Sequence, residues 1–471
     1  MPYLTDGGKQ IILFSDLKIE IEKLNKLFQA AGLNIKNSAI AIWADKTIHS
    51  VFLLPALVYS NNGYIPVNSE WPIDRVKFIL QSINTQFLIV DDARFELAKE
   101  SLNDFWGSYS ANSTNRGFHI FKLNVDKKIS LPKELAYVLF TSGSTGSPKG
   151  IVHTNQSAFA FLNWCLKEFK QYNIKRHVSI APLNFDLSVF DVFYPLLNQF
   201  SLFVPEVATV SNTRLFAQYL NQNKIESLYT TPSYLNLLEQ TGKLSTYDFK
   251  HVKLVLIAGE ALSYDLVRRL KTHFKNAVFY NLYGPTETNV CCAQKIDLKR
   301  QVSEFVPIGK SIIKGNLTYT KQGELCYKGK LLMAGYVNDS GYHSIRKNAI
   351  YKTGDYVSIQ KGVLSFVGRK DNLIKRNGFR IELSEINTAL RKHSEITNCE
   401  TLFLKKENLV VSFVESGNDL SQLALKTFCI KHLPSYMVPD LIIVLRKIPV
   451  NLNHKADFIA LKEIYAQTFK S

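Results

Sequence analysis

Apolar residues recur along this chain in two alternating rhythms. Short runs of apolar, β-prone residues occupy positions 38–43, 86–90, 178–180, 202–204 and 254–257, with helical patterns such as 213–221 between them. Strand-like runs alternating with helical stretches predict α/β architecture with mixed, largely parallel sheets, continuing to about residue 367. No internal repeat or low-complexity tract interrupts it. Between Asp355 and Gly368 the texture changes to a short hairpin that turns at Gln360-Lys361-Gly362. After Asn372 a separate unit of roughly a hundred residues begins. Ser384 is placed to cap a helix over 385–391, and strands are expected at 402–404 and 410–414. The expected organisation is a large N-terminal part of several subdomains (residues 1–367), a hinge (368–371) and a small, mobile α+β cap (372–471).

At 471 residues the chain can build two or more cores. Its longest apolar stretch, 51–59, is broken by Pro55 and is too short to span a bilayer. The opening Met1-Pro2-Tyr3-Leu4-Thr5-Asp6 lacks the layout of a signal peptide. Six cysteines, including the adjacent Cys291 and Cys292, show neither disulfide-framework nor zinc-ligand spacing, so a reducing cytoplasm fits. The formal charge of +17 changes the picture less than its size suggests. Its densest clusters, such as Lys405-Lys406 and Arg268-Arg269, are short, and no basic helix with interleaved aromatics offers a nucleic-acid face. An acidic partner is the class this charge leaves to consider, with neither nucleic acid nor membrane.

The most informative segment is Thr141-Ser142-Gly143-Ser144-Thr145-Gly146-Ser147-Pro148-Lys149-Gly150, directly after the apolar run 136–140. Glycines let backbone N–H groups turn toward an anion, hydroxyls add donors, and Lys149 adds a mobile charge. That is the chemistry of a loop closing over polyphosphate, although a flexible surface turn would have a similar composition. It is not the Walker pattern, because no Ser or Thr follows the lysine. The loop resembles the signature of adenylate-forming enzymes, which include acyl-CoA ligases, luciferases and the amino-acid adenylation domains of nonribosomal peptide synthesis. Further motifs follow in that family's order. Ile11-Ile12-Leu13-Phe14-Ser15-Asp16-Leu17 resembles the first motif of adenylation domains, which usually lies well inside the protein, so an opening helix and strand are expected to be missing or replaced.

Tyr283-Gly284-Pro285-Thr286-Glu287-Thr288 forms a tight turn presenting a hydroxyl and a carboxylate together. The resemblance implies that Thr286 contacts the α-phosphate, that Glu287 holds Mg2+ and that Asn281 lies where the adenine edge is read. A lone glutamate suffices for Mg2+, which takes one or two carboxylates plus phosphate oxygens. Tyr351-Lys352-Thr353-Gly354-Asp355 ends in an aspartate that can accept both ribose hydroxyls, or bond its own turn. By resemblance Arg369 lies near the ribose, Asp371 is the hinge, and Gly378 lines a thiol-entry tunnel. Leu433-Pro434-Ser435-Tyr436-Met437-Val438-Pro439, followed by Pro449, precedes Lys455, the lysine that in the family bridges substrate carboxylate and nucleotide. Here His454 replaces the glycine common before it.

Asn184-Phe185-Asp186-Leu187-Ser188-Val189-Phe190 bears on which acid is activated. A buried carboxylate needs a cation, and the ammonium of an amino acid supplies one; a helix-capping aspartate is the plainer alternative. Aryl- and fatty-acid ligases lack this aspartate. Carrying over the family's pocket positions gives Asp186, Leu187, Phe190, Tyr229, Leu256, Ala258, Leu282, Val290 and Cys291, with Lys455 closing the carboxylate end. The lining is apolar apart from Asp186, Lys455, the Tyr229 hydroxyl and the Cys291 thiol. A polar substrate side chain would lose about 1–3 kcal/mol for each unmet group, so a small or medium apolar amino acid is expected. The lining resembles that of free-standing L-proline adenylating enzymes, which load a carrier protein. D-alanine activation for a cell-wall carrier, another small aliphatic acid, an acyl- or aryl-CoA ligase and a non-catalytic nucleotide-binding relative are the other readings. Because Lys455 lies 16 residues before the last residue, the phosphopantetheine thiol is expected on a separate carrier.

Overall fold

The computed structural model describes residues 3–7, 11–30, 37–102, 112–113, 117–124, 129–141, 147–300, 304–346, 348–369, 373–405, 407–450 and 456–469. The chain divides into two compact units. The first comprises Met1–Ser69, Leu80–Phe140 and Gly150–Lys370, and the second Glu70–Ile79, Thr141–Lys149 and Asp371–Ser471.

Seven elements of the first unit carry the site and are labelled here: β1 (Arg176–Val178), α1 (Leu187–Asn198), β2 (Ser227–Thr230), β3 (Leu254–Ala258), β4 (Val278–Tyr283), β5 (Tyr351–Gln360) and β6 (Val363–Arg369). Strands β1, β2, β3 and β4 are parallel neighbours in a nine-stranded sheet. β3, Leu-Val-Leu-Ile-Ala, reads as a continuous apolar run because both of its faces are covered. Alternation decides which side chain faces which cover. Tyr229, Leu254, Leu256, Tyr280 and Leu282 join a core shared with α1 and the helices Ile48–Tyr59 and Asn155–Glu168. Leu228, Val255, Ile257 and Phe279 face the opposite core, built on the helices Thr213–Gln222, Pro232–Thr241 and Tyr264–His273.

A second nine-stranded sheet, built around Ala39–Trp43, Gly63–Val67 and Leu135–Thr141, contributes Ile40, Ile42, Tyr64, Ala136 and Leu139 to the first core. β5 and β6 form the expected hairpin, in a four-stranded antiparallel sheet, and it turns at Lys361-Gly362. At the N-terminus Tyr3–Thr5 pairs in parallel with Ser201–Phe203 and antiparallel with Ile11–Leu13, so a short hairpin extends the central sheet.

In the second unit, Leu373–Arg376 pairs with Phe379–Glu382, and a three-stranded sheet joins Asn398–Leu404, Leu409–Glu415 and Leu441–Leu445. The helix Leu383–Leu390 starts straight out of the preceding strand with Glu382 at its N-cap. Ser384 is therefore inside the helix and does not cap it; the strand runs into the helix without the intervening loop that a serine cap needs. Among the described residues, no helix is long and apolar enough to cross a membrane.

Candidate active site

The turn after β4 is fixed by backbone crowding. A Cβ on Gly284 would lie 1.7 Å from the Asn289 carbonyl oxygen, so only glycine allows the chain to fold back there. Thr286–Thr288 then forms one 3-10 turn, closed by the Thr288 N–H donating to the Pro285 carbonyl at 2.9 Å. Glu287 is wholly buried, and the Tyr336 hydroxyl donates to its Oε1 at 3.3 Å. The Glu287 carboxylate is a hard oxygen donor of the kind that Mg2+ takes. Among the described residues, no group of three acidic, His or Cys side chains forms a protein-only metal cage.

Sequence reasoning missed His153, on the strand Lys149–Thr154. Its Nε2–H donates to the Thr286 carbonyl at 2.8 Å, its Nδ1 faces the Ser157 hydroxyl at 2.9 Å, and its ring lies on Tyr137 with centroids 4.9 Å apart. Burial pushes the imidazole down to about 4, so at neutral pH it is an uncharged strut beneath the Thr286 turn. A single histidine on an apolar strand carries no sequence signal that separates it from a core residue.

Asp355 is buried and held from two sides. It pairs across the hairpin with Arg369, and the β5–β6 register sets those two residues opposite each other. One carboxylate oxygen accepts from the Arg369 guanidinium and the other from the Tyr283 hydroxyl. The backbone N–H of Asp355 is bound by Thr353 Oγ1 at 3.1 Å. Burial, then the Asp355 charge, pushes the Tyr283 hydroxyl well above its ordinary pKa, so it stays a donor. Three residues assigned to the nucleotide are thus in direct contact. Each carboxylate oxygen keeps a second lone pair for a further donor. Asn281 is buried at 3% exposure and donates its amide to the carbonyls of Val306, at 3.3 Å, and Pro307, at 2.9 Å. Its amide hydrogens therefore hold a neighbouring segment.

The apolar pocket positions converge. Tyr229 and Leu256 are direct cross-strand partners, as are Ala258 and Leu282, and all four lie on the face of the sheet that packs on α1. Leu187, Phe190, Val290 and Cys291 belong to the same buried cluster. The Phe190 ring meets Tyr229 edge to face, with centroids 5.5 Å apart. Asp186 occupies the N-cap position of α1, yet its backbone is helical and its side chain makes no capping hydrogen bond. The capping alternative thus lacks its defining contact. Burial, followed by the nearby Asp186 carboxylate, pushes the Tyr229 hydroxyl well up, so the two groups share one electrostatic environment.

In the second unit, Thr141 closes the strand Leu135–Thr141 with its hydroxyl oxygen buried and without a hydrogen-bond partner among the described residues. A ligand oxygen would satisfy such an orphan donor. Lys149 opens the following strand and is half-buried. Ser142, Gly143, Ser144, Thr145, Gly146, Asp371, His454 and Lys455 lie outside the described residues.

Known proteins resemble this chain over nearly its whole length. The L-proline–[L-prolyl-carrier protein] ligase of Pseudomonas fluorescens is 30% identical, over 95% of this chain and 93% of its own length. The enzyme of the same name from Streptomyces coelicolor is 29% identical, over 96% of this chain and 92% of its own. The adenylation domain AlmE of Vibrio cholerae, solved with glycyl-adenosine-5'-phosphate, superposes with a TM-score of 0.83 at 22% identity, covering 99% of this chain and 95% of that one. Residues 2–337 match the family described as AMP-binding enzyme, and this chain belongs to that family.

Proposed function

We propose that the chain activates an amino acid, L-proline first among candidates, as its acyl-adenylate and passes the acyl group to the phosphopantetheine thiol of a separate carrier protein. The observation that carries this reading is Asp186 at the edge of an apolar floor, at the head of the helix that supplies Leu187 and Phe190 to the buried cluster. Two relatives matched over nearly their full length, both named as L-proline–carrier protein ligases, support it.

Proline suits the floor physically. Its ring fills the space before Phe190 and Tyr229, and its secondary ammonium still donates to Asp186. In the first half-reaction a substrate carboxylate oxygen forms a bond to the α-phosphorus of ATP as the bond to pyrophosphate breaks. In the second, a thiolate attacks the acyl carbon and AMP leaves. No side chain is needed as a nucleophile, so the chain's contribution is positioning and charge neutralisation. Asp355, with Arg369 and Tyr283, is assigned to the ribose and Asn281 to the base. Thr286, with the loop from Thr141 through Lys149, is assigned to the phosphates. Glu287 would hold Mg2+, which neutralises phosphate charge when bound. Lys455 is assigned to the substrate carboxylate, and Asp371 to the turn of the cap between the two half-reactions. Six free, buried cysteines fit a reducing cytoplasm.

The test is acyl transfer. The chain is incubated with ATP, Mg2+ and L-proline, together with either a phosphopantetheinylated carrier protein or coenzyme A, and the products are followed by intact mass. One prolyl group on the carrier is the expected result. Prolyl-coenzyme A alone would move the protein to the CoA ligases, and D-alanyl carrier in place of prolyl carrier would favour cell-wall chemistry.

A further inference from the structure

Within α1, an otherwise apolar buried helix, stands one fully buried carboxylate. Asp191 directly follows Phe190, and its neighbours Val189, Phe190, Val192 and Phe193 are all buried. A carboxylate there is costly unless every oxygen is satisfied. It accepts from His177 Nε2–H at 2.9 Å through one oxygen, and from the N–H groups of Ile180 and Ala181 at 3.1 and 3.3 Å through the other. His177 sits on β1 opposite Ser227 of β2, whose hydroxyl lies 2.8 Å from Nδ1. Its ring also meets Phe190 edge to face, with centroids 5.4 Å apart. On the other side of the same loop, Lys46 Nζ donates to the Ala181 carbonyl at 2.7 Å. Ser188 Oγ then bonds the carbonyls of Leu183, at 3.0 Å, and Phe185, at 2.6 Å. The stretch from the end of β1 to Asp186 is therefore held nearly peptide by peptide.

We propose that Asp191, His177 and Lys46 are positioning residues for amino-acid selection: they fix the loop that delivers Asp186 and the face that Phe190 presents to the substrate. An apolar residue at 191 would fill the space at lower electrostatic cost. What only a carboxylate can do there is hold two consecutive N–H groups of the loop while orienting the imidazole against Phe190. Among the described residues the network bonds none of the groups assigned to the nucleotide, so its effect is expected on the amino acid.

The inference rests on the amino-acid adenylation reading and is tested by pyrophosphate exchange with Asp191→Asn, His177→Gln and Lys46→Met. Asp191→Asn should raise the KM for L-proline about tenfold or more, the loss that follows when charge-assisted hydrogen bonds go. The KM for ATP should stay within about twofold, because that site is untouched. His177→Gln keeps a donor for Asp191 but removes the ring, so it should retain most of the affinity for proline. It should, however, lower discrimination against the ring-enlarged homologue L-pipecolate. If Asp191→Asn does not fold, Lys46→Met carries the test, since Lys46 is only partly buried and reaches the loop through one carbonyl; the same KM split is expected. Equal rises in both KM values, or lower melting temperatures with unchanged selectivity, overturn the inference. Absence of amino-acid-dependent exchange in the unmodified chain would instead sink the adenylation reading itself.

Discussion

Replacing Asp186 by asparagine removes one charge while keeping size and hydrogen-bonding capacity. Asparagine and aspartate are comparable N-caps, so the start of α1 should tolerate the exchange. Substrate recognition should change a great deal. Breaking a fully buried ion pair costs about 3–5 kcal/mol and an exposed one at most about 1 kcal/mol. Asp186 is half-buried beside the buried Tyr229 hydroxyl, so about 2–3 kcal/mol is the expected loss. At 1.36 kcal/mol per decade this is about 30- to 150-fold in kcat/KM for L-proline. The decisive control is cyclopentanecarboxylate, which has the proline ring without its nitrogen. Pyrophosphate exchange with both acids and both proteins gives a double-mutant cycle between the protein charge and the ligand charge. The variant should lose activity with proline and little or none with the des-amino acid, at unchanged KM for ATP. Equal losses with the two acids would refute the ammonium–carboxylate pairing and return Asp186 to a structural role.

Three further outcomes follow from the nucleotide side and its supports. His153 is neutral in the folded chain down to about pH 4, whereas the unfolded chain protonates it near 6.5. Stability is therefore full above about pH 6.5 and falls as pH drops toward 4, by about 3 kcal/mol; urea midpoints at pH 7.5 and 5 should separate by more in the native chain than in His153→Gln. Asp355→Asn should raise the KM for ATP about 10- to 100-fold by leaving the Arg369 guanidinium and Tyr283 hydroxyl misaligned, with the KM for proline nearly constant. Gly284→Ala forces a Cβ against the Asn289 carbonyl and should cost about 3 kcal/mol or more, read as a lower melting temperature or loss of soluble protein.

Local signals in the sequence translated directly into structure. The run 254–257 became β3, the run 38–43 became Ala39–Trp43, and Lys361-Gly362 turned the hairpin. Residue types at motif positions pointed to Asp355, Arg369 and Tyr283 separately. Their mutual contact depends on strand register and on the turn after β4, which no spacing rule displays. His153, Asp191 and His177 carried no signal, because the meaning of each comes from a partner on another element. The Ser384 cap failed for a local reason, since the preceding strand ends where the helix begins. At the N-terminus, where an opening helix and strand are expected to be missing or replaced, Tyr3–Thr5 finds its neighbour almost two hundred residues away, at Ser201–Phe203. Likewise Glu70–Ile79 and Thr141–Lys149 group with the C-terminal residues, which the linear division at 367 did not foresee.

The central claim is that this chain adenylates an amino acid and that its pocket selects proline. Amino-acid-dependent exchange of labelled pyrophosphate into ATP tests it most directly, with L-proline, D-proline, D-alanine, L-alanine, L-valine and an aryl acid run side by side. Strong exchange with L-proline and weak exchange with the rest is the predicted result. Exchange led by D-alanine or by the aryl acid would contradict the pocket assignment, and silence with every acid would contradict the chemistry.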